Sequence, residues 1–209
     1  MKSTKFIFWN VDTQFDFVEP EGKLYAPGSE LLKPTWKEIT QLAKEKNIKV
    51  VNTADFHHEK SAELSNNPDF VRTFPEHCMA NSKGAEYVPE TQPEDAVVFD
   101  WDKEYLTLDE LHTKRNVVIR KDSFDVFAGN PYTGEIVKML APETVVVYGV
   151  TTNVCVNDAV LGLVKRVPEV YVVEDAIKEL PNIPLPFENW KKLGVKMIQS
   201  NQLAELIDT

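Results

Sequence analysis

The segment ETVVVYGVTTNVCVNDAVLGLVKR, residues 143–166, most constrains what this chain can fold into. Its first half, at 144–148, is an unbroken apolar run rich in β-branched residues. Such a run suits a strand buried on both faces, as in a parallel sheet covered by helices. Gly149 supplies a turn, and an amphipathic helix is expected over about residues 152–165. Cys155 falls in the first turn of that helix, where free backbone N–H groups and the positive end of the helix dipole favour a thiolate. A thiolate beside converging N–H donors is equipped to attack a carbonyl carbon. Taken alone, a cysteine so placed is more often a small core residue. The rest of the chain decides between the two readings.

The alternation continues on both sides. Apolar runs at 5–11, 48–53, 96–99, 116–120, 169–173 and 195–198 read as strands. Helical periodicity marks residues 30–46, with Leu31, Leu32, Trp36, Ile39, Leu42 and Ala43 on one face. Further helices are expected at about 186–193 and from Asn201 onward. Alternating strands and helices predict a three-layer α/β/α fold with a parallel, Rossmann-like sheet. A single domain over residues 1–209 fits the length and a 43% hydrophobic content. The irregular stretch at about 55–95 is too long for a passive loop and is expected to carry a metal site or a lid.

Charge and cysteine usage narrow the partners. A net charge of −10 argues against nucleic acid and anionic membrane. Two cysteines do not make a disulfide framework, so a reducing cytoplasm is expected. The opening MKSTKFIFWNVD has an apolar run broken by Asn10 and Asp12, too short for a signal peptide. No run approaches membrane-spanning length.

Ligands of open parallel sheets bind beyond the carboxyl ends of the strands. Asp12, Asp55, His57, Lys121 and Cys155 all fall at such ends, contributed by four strands. Each has a bland reading: Asp12 as a helix cap, Asp55 as a turn former, Lys121 as a surface lysine. Their gathering at one edge is what the bland readings leave unexplained. Lys121 would stabilise a thiolate, and Asp12 could shuttle a proton. A cysteine–histidine pair stays open as an alternative, although His57, His58, His77 and His112 all lie far from Cys155 in sequence. Asp55 and His57, two apart, point the same way in extended chain. With His77 they offer a carboxylate and two imidazoles, a set suited to Zn²⁺, Fe²⁺ or Mn²⁺ with positions left open. A polar surface loop is the competing reading, and His58 is expected to point away.

These residues resemble the isochorismatase-like cysteine hydrolases, most closely the nicotinamidases and pyrazinamidases, over residues 6–198. VDTQFDF resembles the family's Asp-x-Gln-x-Asp-Phe strand end, and EGKLYAPGSE the loop after it. TADFHH is similar to its Asp-Trp-His-Pro metal segment, and FPEHCMANSKGAEYVP to its Trp-Pro-x-His-Cys…Gly-Ala-Glu stretch. RKDSFDVFAGN looks like the lysine segment, and GVTTNVCV is close to Gly-Val-Ala-Thr-x-x-Cys-Val. The resemblance implies a catalytic triad of Asp12, Lys121 and Cys155. It implies a cis peptide between Val150 and Thr151, and an oxyanion hole of the Thr151 and Cys155 N–H groups. It implies metal ligands at Asp55, His57 and His77. Glu63 is the nearest candidate for a fourth, with Glu59 competing.

The implied reaction is hydrolysis of nicotinamide to nicotinate and ammonia, with a divalent metal (Zn, alternatively Fe or Mn) orienting the pyridine ring. Phe17 and Phe74 are candidates for the pocket walls. The expected partners are a small-molecule amide and further copies of the chain in a homo-oligomer. The departures are Phe56 for the usual Trp, His58 for the Pro, and Phe74 where a Trp often stacks on the substrate. Residues 100–112 match nothing specific and are expected to shape the pocket or a subunit interface. Two rivals remain: another hydrolase of the superfamily, acting on a ureido or carbamoyl amide or on isochorismate, and a catalytically silent binding protein on the same fold.

Overall fold

A computed structural model describes residues 4–208. Strands β1 (Thr4–Val11), β2 (Lys49–Asp55), β3 (Val97–Phe99), β4 (Asn116–Lys121), β5 (Pro142–Val150), β6 (Glu169–Lys178) and β7 (Lys196–Ile198) form one sheet, in the order β3-β4-β2-β1-β5-β6-β7. Every neighbouring pair is parallel. The helices are α1 (Phe15–Val18), α2 (Lys33–Glu45), α3 (Val126–Gly129), α4 (Thr133–Leu140), α5 (Cys155–Leu163), α6 (Phe187–Lys192) and α7 (Leu203–Asp208). The expected three-layer α/β/α architecture is what the chain adopts. Among the described residues, no helix is long and apolar enough to cross a membrane.

Side-chain alternation explains the unbroken apolar run of β5. Val145 and Val147 join Ile7, Trp9 and Val11 in a core covered by α3, α4, α5 and α6. Val146 and Tyr148 join Phe8 in the opposite core, covered by α1, α2 and α7. A strand with a core on each face needs apolar residues at every position. Helix α2 buries Trp36, Ile39 and Ala43, the spacing that one helical face dictates. The Trp36 indole N–H also donates to the Ala176 carbonyl at 2.9 Å, tying α2 to β6.

Several boundaries differ from the sequence expectations. The helix expected over 30–46 opens as a 3-10 turn, Ser29–Leu32, and α2 begins only at Lys33. Pro34 sits in its first turn, where no intrahelical N–H is required. The helix expected from residue 152 begins at Cys155. Residues 151–154 form a tight turn instead, with Val154 N–H and Val156 N–H both donating to Thr151 O. Helices α3 and α4 had no sequence expectation, because Gly129, Pro131 and Gly134 interrupt any helical period there. Strand β6 runs to Lys178 rather than ending at residue 173; the polar Glu174 and Asp175 concealed its second half, where its register against β5 shifts.

The sheet order places the site. Strands β4, β2, β1 and β5 are consecutive neighbours. Chain progression reverses between β1 and β5, the crevice where open α/β sheets receive ligands. Asp12 follows β1, Asp55 ends β2, Lys121 ends β4 and the Thr151–Cys155 turn follows β5. Gly149 closes this crevice. Its φ is +120°, and a Cβ there would lie 2.1 Å from the Val11 carbonyl oxygen on the adjoining strand. Replacing Gly149 with Ala must part β1 from β5 just below Asp12. Gly149→Ala is therefore expected to destabilise the fold by on the order of 3 kcal/mol, read as a lowered urea midpoint. An unchanged midpoint would refute the close approach.

Candidate active site and cation cluster

Lys121 is the centre of the site. Its side chain is buried, 1% exposed, and its ammonium lies 3.0 Å from Asp12 Oδ2. It also forms an ion pair with Asp55 Oδ1. Cys155 Sγ lies 3.9 Å from the same ammonium. Asp12, Asp55 and Cys155 each present an atom within 4.8 Å of the others. Asp12 is held in the left-handed region, φ +46°, and its Oδ1 accepts from the Thr53 hydroxyl at 2.5 Å. The expected gathering of Asp12, Lys121 and Cys155 is therefore present. The bridge from Lys121 to Asp55 was not anticipated.

The charges set the protonation. Burial acts against the Lys121 ammonium, but the Asp12 and Asp55 carboxylates outweigh it and hold Lys121 well above its ordinary range. Burial raises Asp12 above the usual carboxylate range, with Lys121 opposing. Burial also acts against the charge on Asp55, but the Lys121 ammonium and the His77 and His57 imidazoles prevail and hold it low. Cys155 corrects the sequence reading. Burial pushes its thiol well above the ordinary range, and Asp12 and Asp55 add to this against Lys121. One lysine does not outweigh burial and two carboxylates there. Asp12, raised by burial and close to Cys155, has the character of a base for that thiol. Among the described residues, no imidazole hydrogen-bonds to Cys155; the recorded partner is Lys121.

The turn carrying Cys155 contains a cis Val150–Thr151 peptide. Thr152 N–H donates to Lys178 O, and Val154 N–H and Val156 N–H donate to Thr151 O. The Thr151 and Cys155 amides take no part in these bonds.

Asp55, His57, Glu63 and His77 form a second, adjoining cluster, all buried, with ligand atoms within 4.8 Å of one another. His77 Nε2 lies 3.5 Å from Asp55 Oδ2 and 3.6 Å from Glu63 Oε1, and His57 Nε2 lies 3.9 Å from Asp55 Oδ2. Asp55 Oδ2, His57 Nε2 and His77 Nε2 are buried without a hydrogen-bond partner. Three orphaned polar atoms facing one point are costly unless a cation takes them. The opposite ring nitrogens are anchored: His57 Nδ1 lies 3.1 Å from Asp122 Oδ1, and His77 Nδ1 lies 2.7 Å from Pro75 O. This fixes both rings with Nε2 inward, the arrangement of metal-bound histidines. Burial, with Asp55 adding, pushes Glu63 up to about 8, a cost that a cation beside it would offset. The donor set thus fits a divalent metal, with Glu63 as the fourth member. Glu59 is exposed and outside it. His58 points away, its ring 5.3 Å from that of Trp101.

Three supporting residues were not foreseen. Gln14 bonds both ways to Asp55, donating to its carbonyl at 2.8 Å and accepting from its N–H at 2.7 Å. Asp16 accepts from Cys78 N–H at 2.7 Å, fixing the backbone beside His77. Asp122 holds His57 and accepts from the Ser61 hydroxyl. Gln14 and Asp16 stand inside the VDTQFDF segment, and Asp122 adjoins Lys121, so their signal was sequence adjacency to the reactive residues.

Cys155, Thr151, Asp55, Glu63 and His77 border a constricted cavity of about 10 Å³. Phe17 and Phe74, the expected pocket walls, line it together with Leu24, Val154 and Leu180. It is far smaller than the roughly 300–1,000 Å³ of drug-sized ligand pockets. Residues 100–112 stay outside it; the Trp101 indole N–H braces the metal segment from behind by donating to Phe56 O at 2.9 Å.

Residues 7–209 match the family model described as an isochorismatase domain. The zinc complex of a pyrazinamidase from Pyrococcus horikoshii is 27% identical, with a TM-score of 0.72 over 93% of this chain and 99% of that one. The nicotinamidase of Bacillus subtilis is 18% identical, with a TM-score of 0.71 over 93% and 99%. The N-carbamoylsarcosine amidase of Thermoplasma acidophilum is 20% identical, with a TM-score of 0.72 over 94% and 97%. At such identity the last two share the fold. Among curated proteins none matches the sequence.

The anchoring of His57 yields a test. Asp122→Ala should weaken zinc affinity about 10–100-fold in a chelator competition, whereas Glu59→Ala should leave it unchanged. Equal affinities in all three proteins would remove Asp122, and with it the oriented His57, from the cation site.

Proposed function

The chain belongs to the isochorismatase family, and from that premise we propose that it is a metal-containing amidase that hydrolyses nicotinamide to nicotinate and ammonia. The observation that carries this reading is the shared Asp55, which contacts the Lys121 ammonium on one side and the His57–His77–Glu63 cluster on the other. Thiol chemistry and a cation site thereby border one small cavity. The zinc in the pyrazinamidase at 27% identity supports the same pairing. A metal-independent hydrolase or a silent scaffold would have no use for three orphaned ligand atoms beside a thiol.

In this mechanism the carboxamide carbon lies against Cys155 Sγ. Asp12, raised by burial, takes the thiol proton as sulfur forms its bond to carbon. The carbonyl oxygen becomes an oxyanion facing the Thr151 and Cys155 N–H groups. Asp12 then gives its proton to the amide nitrogen, the C–N bond breaks, and ammonia leaves a thioester on Cys155. A water loses its proton to Asp12 and attacks the thioester carbon. Collapse releases nicotinate, and the proton on Asp12 returns to sulfur. Throughout, Lys121 keeps Asp12 aimed at the reacting atoms and balances its charge. A divalent metal held by Asp55, His57 and His77, with Glu63 beside them, would supply a Lewis-acid contact for the pyridine nitrogen. Phe17 and Phe74 press the ring from the apolar side.

The two cysteines separate this reading from a nonspecific thiol effect. Cys78 is also buried, but its N–H is bound to Asp16 and its Sγ lies 3.5 Å from Gly84 O, away from the triad. Cys155→Ala should lower ammonia release from nicotinamide by at least about 10³-fold with an unchanged circular dichroism spectrum. Cys78→Ala should keep most of the activity. Equal losses in both variants would sink the assignment.

A further inference from the structure

The cavity at Cys155 shares a wall with a larger neighbour. Leu24, Phe74, Val154 and Leu180 line it and also line a second, outer cavity of about 670 Å³. The remaining apolar lining of this outer chamber includes Phe70, Val71, Phe124, Ile183 and Pro184. Phe70 and Val71 are 49% and 72% exposed, which leaves apolar surface of this chamber open to solvent.

Both sides of the chamber are built. On one side, the Asn153 amide donates to Leu180 O at 2.8 Å and to Ile183 O at 2.9 Å, while its oxygen accepts from Leu180 N–H at 3.0 Å. The turn that carries Cys155 therefore also fixes the wall at Leu180 and Ile183. On the other side, Asp69 Oδ1 accepts from the Val71, Arg72 and Thr73 N–H groups at 2.8–2.9 Å. That turn holds Phe70 in the left-handed region, φ +54°, with its ring edge-on to Phe74 at 6.2 Å. The charged residues lining the outer chamber are Asp69 and Asp158. Neither cavity is lined by a lysine or an arginine.

We infer that the outer chamber holds an apolar part of the substrate, so that the site acts on uncharged carboxamides that extend beyond a bare pyridine ring. The inference rests on the amidase reading of Cys155 and deepens it. The reactive carboxamide occupies the inner cavity, and an alkyl or aryl substituent passes between Phe74 and Leu180 to lie against Phe70 and Ile183. Apolar surface removed from water there favours the larger substrate. Two acidic residues without a basic one disfavour an anionic substituent.

The test is ammonia release by the metal-loaded protein from nicotinamide and from pyridine-3-carboxamides bearing a ring butyl, phenyl or carboxylate group. The butyl or phenyl compound should exceed nicotinamide in kcat/KM by at least about tenfold, and the carboxylated compound should fall below it. Ile183→Asp should erase most of that preference. A preference for bare nicotinamide, untouched by Ile183→Asp, would overturn the inference and leave the amidase reading standing. Calorimetric binding to the metal-loaded Cys155→Ala protein decides the point without turnover. The phenyl compound should bind at least about tenfold tighter than nicotinamide; equal affinities would overturn the chamber's role. Absence of ammonia from every carboxamide would count against the amidase reading, with the chamber still judged by binding.

Discussion

One buried ammonium holds this site together. Lys121 lies between the Asp12 and Asp55 carboxylates, with Cys155 Sγ at 3.9 Å. A lone charge in so dry a place is prohibitive, and a pair is tolerated only with good geometry and further hydrogen bonds. Here the Thr53 hydroxyl and Gln14 supply those bonds to the Asp12 carboxylate and the Asp55 backbone. Two carboxylates against one ammonium leave an excess of negative charge, and that excess lies on the side of His57, His77 and Glu63. The candidate cation cluster and the thiol thus share one charge arrangement.

The fold exists at this edge to hold four strand ends in register. Asp12, Asp55, Lys121 and the Cys155 turn belong to four consecutive parallel strands, and Gly149 allows β5 to approach β1 closely enough for Asp12 to meet Cys155. Parallel pairing sends every carboxyl end the same way, so reactive residues distant in sequence converge without a dedicated loop for each. Only His57, Glu63 and His77 come from irregular chain, and each is tied back by Asp122, Phe124 N–H or Pro75 O.

Much of this was legible in the sequence, and the reasons are physical. The sheet was readable because strands with a core on both faces must be apolar throughout, as β5 is. The reactive edge was readable because strand ends can be located without knowing strand order. Helices α3 and α4 were not, since Gly129, Pro131 and Gly134 mask their period. The state of Cys155 was misread because sequence shows a helix N-terminus and a lysine but not the depth of burial or the second carboxylate. Glu63 was the nearer candidate in the sequence, and the fold of the 55–77 segment separates it from its competitor Glu59 by burying one and exposing the other. Gln14, Asp16 and Asp122 act through backbone and ring contacts that no spacing rule encodes.

The most direct measurement of the account is ammonia release from nicotinamide by Lys121→Met, with bound metal quantified on the same samples as for the wild type. If Lys121 serves the proton chemistry of Asp12 and Cys155 while the imidazoles and Asp55 hold the cation, turnover should fall by at least about 10³-fold with metal content retained. Turnover near that of the wild type would contradict the central place given to Lys121; metal lost in step with activity would contradict the division of labour between Lys121 and the cation ligands.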